Sequence, residues 1–243
     1  MATGDFADLK NRAIYLARFA SGSTVDLTRA GQLLNEAALL IADSGPRWEF
    51  LVEEGTWSTV ADQQDYTYAA LATDMGGSAI KEIYGMTNQT HSVGRLTNMS
   101  WTSLEEISQS SNDSDPTGAS VGYAVFGETV RMHPTPSSVQ TIKMLYLGSE
   151  TEMSADADVP AIPLGHRFST LVTYAASKLC VQRGGGESIA LAGQLMNQYQ
   201  EGYAYLEQRY AAARMPQLAL DDPNWNNDLP GAVAGYNTDY ELY

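Results

Sequence analysis

Residues 168–180, FSTLVTYAASKLC, and residues 189–210, IALAGQLMNQYQEGYAYLEQRY, decide the fold class because they specify two successive helices. In the first stretch, apolar residues recur at the i, i+3, i+4, i+7 spacing of a helix with one buried face. In the second stretch they recur every three or four residues, which is typical of a helix packed lengthwise on another. The triglycine at residues 184–186 predicts a break between the two helices.

The N-terminal 47 residues predict a second pair of helices. Apolar residues follow helical spacing from Phe6 to Ala20 and again from Leu27 to Ile41, and Gly45-Pro46 ends the second run. Each helix carries an apolar stripe that needs a partner surface. We therefore expect the two helices from each end of the chain to pack together as one bundle.

Between the helix pairs, the hydrophobic period changes from that of a helix to that of a strand. Apolar and polar residues alternate in four segments, which begin at Trp48, near Tyr66 and Tyr68, at Ile80, and at residue 141 (to 147). Residues 123–132 predict two short strands around a Gly-Glu turn. Residues 101–107 predict one or two helical turns. Because the strands follow each other at short spacing without helices between them, we expect an antiparallel sheet or a small sandwich.

These patterns predict an α+β protein, in which a helical bundle carries an inserted antiparallel β domain and an extended C-terminal arm. The predicted divisions are 1–47 for the helical hairpin, 48–163 for the β domain, 164–215 for the second helical pair and 216–243 for the arm.

The predicted arm has three prolines, no basic residue and no hydrophobic period, yet it is rich in aromatic residues. Aromatic side chains in a segment that cannot fold alone indicate docking on another surface. We expect them to anchor the arm to another chain, although packing against its own subunit remains open. The predicted anchors are Trp225, Leu229, Tyr236, Tyr240 and Tyr243.

The chain carries a net charge of −15, and the acid is concentrated in the middle and at the end. Residues 48–163 hold sixteen acidic and four basic side chains, and residues 216–243 hold five and none. Such a surface repels phosphate and excludes tight binding of nucleic acid. It can line a passage through which DNA slides without sticking, or it can serve solubility alone.

Nothing in the sequence predicts a catalytic site, a cofactor site or a metal site. The histidines at 91, 133 and 166 lack partners at metal-ligand spacing, and the single cysteine, Cys180, has no histidine near it on its helix face. There is no apolar run long enough to span a membrane, and the N-terminus lacks the apolar core of a signal peptide. We expect a non-enzymatic protein that folds in a cytoplasm.

The order of elements resembles that of tailed-phage head-to-tail adaptor (connector) proteins, which sit beneath the portal ring. The resemblance lies in four stretches and covers most of residues 1–215. They are 48–68, with Tyr-x-Tyr at its end; 80–84; GYAVFGETVRMHPTP at 122–136 with the strand at 141–146; and 160–163, which open the helix at 168–180. Ala69-Ala70 stand where such adaptors usually have a proline.

The resemblance implies a structural virion protein of the phage neck, assembled in the host cytoplasm as a homo-oligomeric ring, usually of twelve copies. Its implied partners are the portal protein and downstream tail or nozzle proteins, and DNA would pass through the ring without specific binding. The helix at 187–213 would then form the ring core. The predicted core residues are Met196, Tyr199, Tyr203, Leu206 and Tyr210.

Three other functions stay open. A stopper or tail-completion protein belongs to the same class but has another position in the virion. A carbohydrate-binding β module would stack sugars on Trp57, Tyr66, Tyr84 and Tyr123, although core packing explains the same aromatics. An enzyme would need a deep pocket lined by perturbed carboxylates or histidines.

Overall fold

The structure is a computed structural model that describes residues 4–19, 24–44, 47–91, 94–110 and 117–211. It confirms the α+β class. The helices are α1 (Phe6–Leu16), α2 (Thr24–Asp43), α3 (Tyr68–Met75), α4 (Trp101–Ser110), α5 (Leu164–Arg167), α6 (Thr173–Arg183) and α7 (Gly186–Tyr210).

Among the described residues, ten strands lie between α2 and α5. They are β1 (Val52–Ser58), β2 (Asp65–Thr67), β3 (Ile80–Asn88), β4 (Gly94–Arg95), β5 (Thr97–Met99), β6 (Thr117–Gly118), β7 (Gly122–Phe126), β8 (Thr129–His133), β9 (Thr135–Pro136) and β10 (Thr141–Gly148). One sheet has the order β1-β10-β3-β4, a second has the order β2-β8-β7-β5, and β6 pairs with β9.

The described residues divide into two compact units. The first contains 4–54, 76–84 and 145–211, and the second contains 55–75 and 85–144. The predicted divisions of the chain after residues 47, 163 and 215 stay predictions, because compact units follow contacts and do not test independent folding.

In the first unit, helices from both ends of the chain share one hydrophobic core, as the apolar stripes predict. Helix α6 contacts α1, α2 and α7, and nearly every side chain from Thr170 to Cys180 is buried. The helix at 168–180 is not uniform, since Phe168–Val172 form a π-helical segment between α5 and α6. The predicted break at the triglycine is confirmed: Gly184 and Gly185 have φ of 73° and 84°, which favour glycine.

In the second unit, the hairpin predicted at 123–132 is confirmed. Strands β7 and β8 pair antiparallel, with Phe126 opposite Thr129 across the two-residue turn Gly127-Glu128. Gly127 has φ 58°, which suits the first central position of a II′ turn. The strand predicted from Ile80 is also confirmed, as β3, and it pairs antiparallel with β4.

One expectation for this part of the chain is wrong. The stretch after Tyr66 does not continue as a strand, because Tyr68–Met75 form helix α3. The helical turns predicted at 101–107 are confirmed and extend to Ser110 in helix α4. The predicted antiparallel pairing is present between β2 and β8, β3 and β4, and β7 and β8, and two short parallel pairs accompany it, β5 with β7 and β6 with β9. Helix α4 lies between β5 and β7, and a crossover through a helix returns the chain in the same direction.

A buried polar network fixes the second unit near its strand ends. The Asn88 side chain donates to Gln140 Oε1 at 2.6 Å, and the Ser120 amide donates to the same oxygen at 3.1 Å. The Gln140 side chain donates in turn to the Gly118 carbonyl at 2.9 Å. Because each buried group has a partner, the network specifies the register without leaving an unsatisfied amide.

Candidate functional site

Helix α7 is the candidate interaction element, because it packs on the bundle along one side and is exposed along the other. Ala192, Leu195, Gly202 and Leu206 are buried on the inner side. Tyr205 is 55% exposed, and Ile189, the first apolar residue of the predicted helix, is 59% exposed, so both lie outside the core. Small and polar residues, mostly Gln, Asn and Glu, make up the rest of the outer face.

The residues predicted as a ring core pack within their own subunit in the described part of the chain. Leu206 is fully buried, and Met196, Tyr199, Tyr203 and Tyr210 are half-buried at the edges of the helix. The structure thus brings the five together on one helix side. Their predicted role between chains stays a prediction.

An aromatic cluster holds the inner edge of α7. Trp48 stacks on Phe50 with ring centroids 5.4 Å apart, and Tyr203 meets Trp48 edge-on at 5.9 Å. Tyr210 meets Phe50 edge-on at 6.0 Å. Edge-to-face pairs add stabilisation beyond the buried area, so this cluster fixes how α7 lies on the bundle.

Hydrogen bonds orient the rings of this cluster. The Trp48 indole donates to the Ile41 carbonyl at 2.7 Å, and the Tyr203 hydroxyl donates to Ser44 Oγ at 2.8 Å.

On α6, the Tyr174 hydroxyl donates to a carboxylate oxygen of Glu36 at 2.5 Å. Burial, and then this bond, raise the pKa of Tyr174 above its ordinary value.

On the outer side, His166 and Tyr205 form the wall of a groove along α7. Their rings stack with centroids 5.4 Å apart, and burial lowers the pKa of His166. The groove has a volume of about 410 Å³. It is also lined by Gly165, Ser169, Thr173, Gln198, Glu201 and Gly202.

The part of the chain that the structure describes ends at Ala211, next to Trp48 of the aromatic cluster. Ala211, directly after α7, forms an antiparallel β-bridge with Trp48. The predicted arm follows, and its anchors Trp225, Leu229, Tyr236, Tyr240 and Tyr243 lie outside the described residues.

The aromatics of the alternative sugar-binding module are mainly core residues. Trp57, Tyr66 and Tyr123 are buried, and Trp57 packs on Tyr66 with ring centroids 4.7 Å apart. Burial raises the pKa of Tyr123 to about 12. Tyr84 is half-buried. Buried rings cannot offer a flat surface to a sugar, so the hypothesis of a carbohydrate-binding module has no support in the described residues.

Within the described ranges, no three His, Cys, Asp or Glu residues are grouped to hold a metal ion, and no helix is long and apolar enough to cross a membrane. Sequence reasoning missed one unusual group, the buried carboxylate of Glu150. No pattern signals it, because its burial depends on how its own segment, between β10 and α5, folds.

Among the described residues, the fold combines a helical bundle, whose helix α7 is exposed along one side, with a β unit. The model of the SU10 adaptor protein family matches residues 5–218, and no individual curated protein matches the chain. The chain therefore belongs to the SU10 adaptor protein family. This is a family of structural phage adaptors, not of enzymes, and its members have portal and tail proteins as partners in the phage neck.

Proposed function

We propose that the protein is a head-to-tail adaptor that assembles as a ring of twelve copies under the portal. DNA would pass through an acidic lumen without specific binding, and downstream tail or nozzle proteins would bind the other face. Assembly would take place in the host cytoplasm. The observation that carries the proposal, together with the family, is the divided surface of α7, buried on one side and exposed on the other.

The exposed side of α7 supplies the proposed contact between copies. Ile189 and Tyr205 are large apolar side chains that a single subunit leaves in water. Burying such surface contributes about 25 cal/mol per Å², and a specific interface needs about 1,000 Å². Two side chains are too few to bury that area, so we expect a second contact.

The arm at residues 216–243 is the proposed second contact, on the portal or on a neighbouring copy. Its aromatic and apolar residues provide anchors, while ordering its backbone costs about 1–2 kcal/mol per residue. Docking of the anchor residues must offset that cost. We therefore expect the arm to resist protease in the assembled ring and to be cleaved in the free subunit.

Charge sets the conditions for assembly. With a net charge of −15, neighbouring copies repel each other at low salt. Added salt screens that repulsion, since the screening length falls to about 8 Å at physiological ionic strength. The ring should therefore form more readily as salt rises, and labelled duplex DNA should not bind the protein at any salt concentration.

The test compares the particle mass of the full chain, alone and with the portal protein of the same phage. The triple variant Trp225→Ala, Tyr236→Ala, Tyr240→Ala should lose portal binding or ring formation. The matched control Asp221→Asn, Asp222→Asn, Asp228→Asn keeps the aromatics and should assemble. A wild-type monomer indifferent to the portal would exclude the proposal. Binding to a preassembled neck but not to the portal would assign a stopper position instead.

A further inference from the structure

The groove that His166 and Tyr205 form along α7 has no role in the proposed function. Its lining comes from two stretches of the first unit, residues 165–173 and residues 198–205. The His166 ring stacks on Tyr205 at one end, and Thr173 and Gln198 line the other end. The groove therefore follows the axis of α7 and has room for a segment of chain laid along that helix.

His166 offers an unused hydrogen-bonding group in this groove. The residue is only 6% exposed, and among the described residues neither of its ring nitrogens forms a hydrogen bond. The ring nitrogens are not fully enclosed, unlike the indole nitrogen of Trp57, so a donor can approach from the groove. Burial lowers the pKa of His166, which favours the neutral imidazole with one nitrogen as an acceptor.

Glu201 gives the groove its charge. Among the lining residues that the structure describes, Glu201 alone carries a formal charge near neutral pH, and no ion pair within the described ranges involves it. The open side of the Tyr205 ring adds apolar surface. An occupant that fits this groove combines apolar side chains, one positive charge and a hydrogen-bond donor.

The chain itself contains such a segment directly after α7. Residues 212–220, which we call the root of the arm, have the sequence AARMPQLAL and lie outside the described residues. The root contains Met215 and Leu218 as large apolar residues and Arg214 as the only basic residue after Tyr210. Residues 221–243 hold five acidic side chains and no basic one, so the charge of Glu201 disfavours them in the groove.

The root begins close enough to reach the groove. Tyr210, the residue before Ala211, meets the His166 ring edge-on at 5.5 Å. Tyr205 lies six residues before Ala211, which is about 9 Å along the helix axis. Four extended residues span about 13 Å, so Met215 can reach Tyr205. Three further residues then span about 10 Å, which matches the distance along the axis from Tyr205 back to Gln198.

We propose that the root of the arm docks in this groove on its own subunit and runs antiparallel to α7. The Met215 thioether would lie against the ring of Tyr205, which is a favourable contact for sulfur. Arg214 would pair with Glu201, and an amide of the root would donate to the His166 ring.

This docking gives the rest of the arm a defined starting point. Residues 221–243 would leave the bundle from the middle of the exposed side of α7 instead of from the end of the helix. The root would cover the groove side of Tyr205 and leave Ile189, near the other end of α7, to a neighbouring copy. The docking concerns a single subunit, so it does not depend on ring formation.

Disulfide trapping in the full chain tests the docking. The test pair is Gln198→Cys with Leu218→Cys, and the matched control pair is Gln208→Cys with Leu218→Cys. Gln198 and Gln208 are both exposed, and the native Cys180 is buried. In a chain that does not dock, the test pair should react about threefold more slowly than the control pair, because it closes a loop twice as long. Docking should reverse this order and make the test pair at least about tenfold faster, because it raises the effective concentration of the two thiols.

A charge exchange tests the predicted partners within the same test pair. Glu201→Lys and Arg214→Glu should each slow disulfide formation about two- to fivefold, and the two together should restore it. Glu207→Lys, at an exposed position of α7 outside the groove, is the control and should have no effect.

Non-reducing electrophoresis separates a disulfide within one chain from a disulfide between two chains. A test pair that reacts no faster than the control pair, or that joins two chains, would overturn the proposal. Neither result depends on whether the protein forms a ring or binds the portal, which the particle mass measures separately.

Discussion

Helices α6 and α7 are neighbours in sequence and pack against each other, yet they have different roles in the bundle. Between Thr173 and Cys180, α6 is buried on nearly every side, because it contacts helices α1, α2 and α7. Helix α7, by contrast, buries one side only. The difference shows that α6 lies at the centre of the core, while α7 leaves one side open to a partner.

The largest effect should come from removing apolar volume from α6. Leu179→Ala is expected to lower the free energy of unfolding by about 2–5 kcal/mol, because it leaves a cavity at a fully buried position. Ile189→Ala removes a similar side chain from the exposed side of α7 and should change it by less than about 0.5 kcal/mol. Urea unfolding of both variants measures the difference. Equal losses would mean that α7 is buried as deeply as α6.

A second comparison uses two glycines of α7. A Cβ at Gly202 would lie 2.5 Å from the Ser169 carbonyl oxygen, whereas one at Gly193 would meet nothing within 4 Å. Gly202→Ala should therefore destabilise the protein by about 1–3 kcal/mol by forcing α7 off the π-helical segment. Gly193→Ala should stabilise it by about 0.5–1 kcal/mol through helix propensity. Thermal unfolding distinguishes them, and a stabilising Gly202→Ala would contradict the close packing.

The smallest effect concerns the tyrosine of α6 that faces α2. Tyr174→Phe removes the hydrogen bond to Glu36 and should cost about 0.5–1.5 kcal/mol near neutral pH. The folded protein raises the pKa of Tyr174, so this contribution is complete below the unfolded pKa of about 10 and is lost as pH rises toward the folded value. The difference in the free energy of unfolding between wild type and Tyr174→Phe should therefore become smaller above about pH 10.

Tyr205→Phe, at an exposed position of α7, is the control for that measurement. It also removes a tyrosine hydroxyl, but from a surface position, and should change stability near neutral pH by less than about 0.5 kcal/mol. Denaturant titrations between pH 8 and 11 measure the difference in the free energy of unfolding between wild type and Tyr174→Phe. A difference that stays constant over this range would contradict a contribution from the Tyr174–Glu36 hydrogen bond.

Sequence reasoning succeeded where a pattern is local. The helical stripes, the triglycine break and the Gly-Glu hairpin follow from residue spacing and backbone preference, and all three are confirmed. It failed at α3, because the alternating Tyr66 and Tyr68 fit a strand as well as the end of one. It also did not indicate that β5 runs parallel to β7, beside the antiparallel pairs that it predicted. Strand direction depends on the path between strands, which a period of two does not encode.

The candidate sites divide in the same way. The tyrosines of α7 were named from their spacing, and the structure brings them together along one helix edge. Trp48 and Phe50 complete that cluster, but their sequence pattern predicts only a strand. Their contacts with Tyr203 and Tyr210 join residues more than 150 positions apart, and no local pattern indicates such contacts. The arm anchors remain a prediction from composition.

The sequence by itself determined the α+β class, the helix pairs at the two ends and the acidic balance, because periodicity and charge are properties of neighbouring residues. Only the tertiary structure decided which side of α7 is exposed and that one carboxylate oxygen of Glu150 is buried with no hydrogen-bond donor among the described residues. Burial depends on what folds over a residue, and those covering residues come from distant parts of the chain.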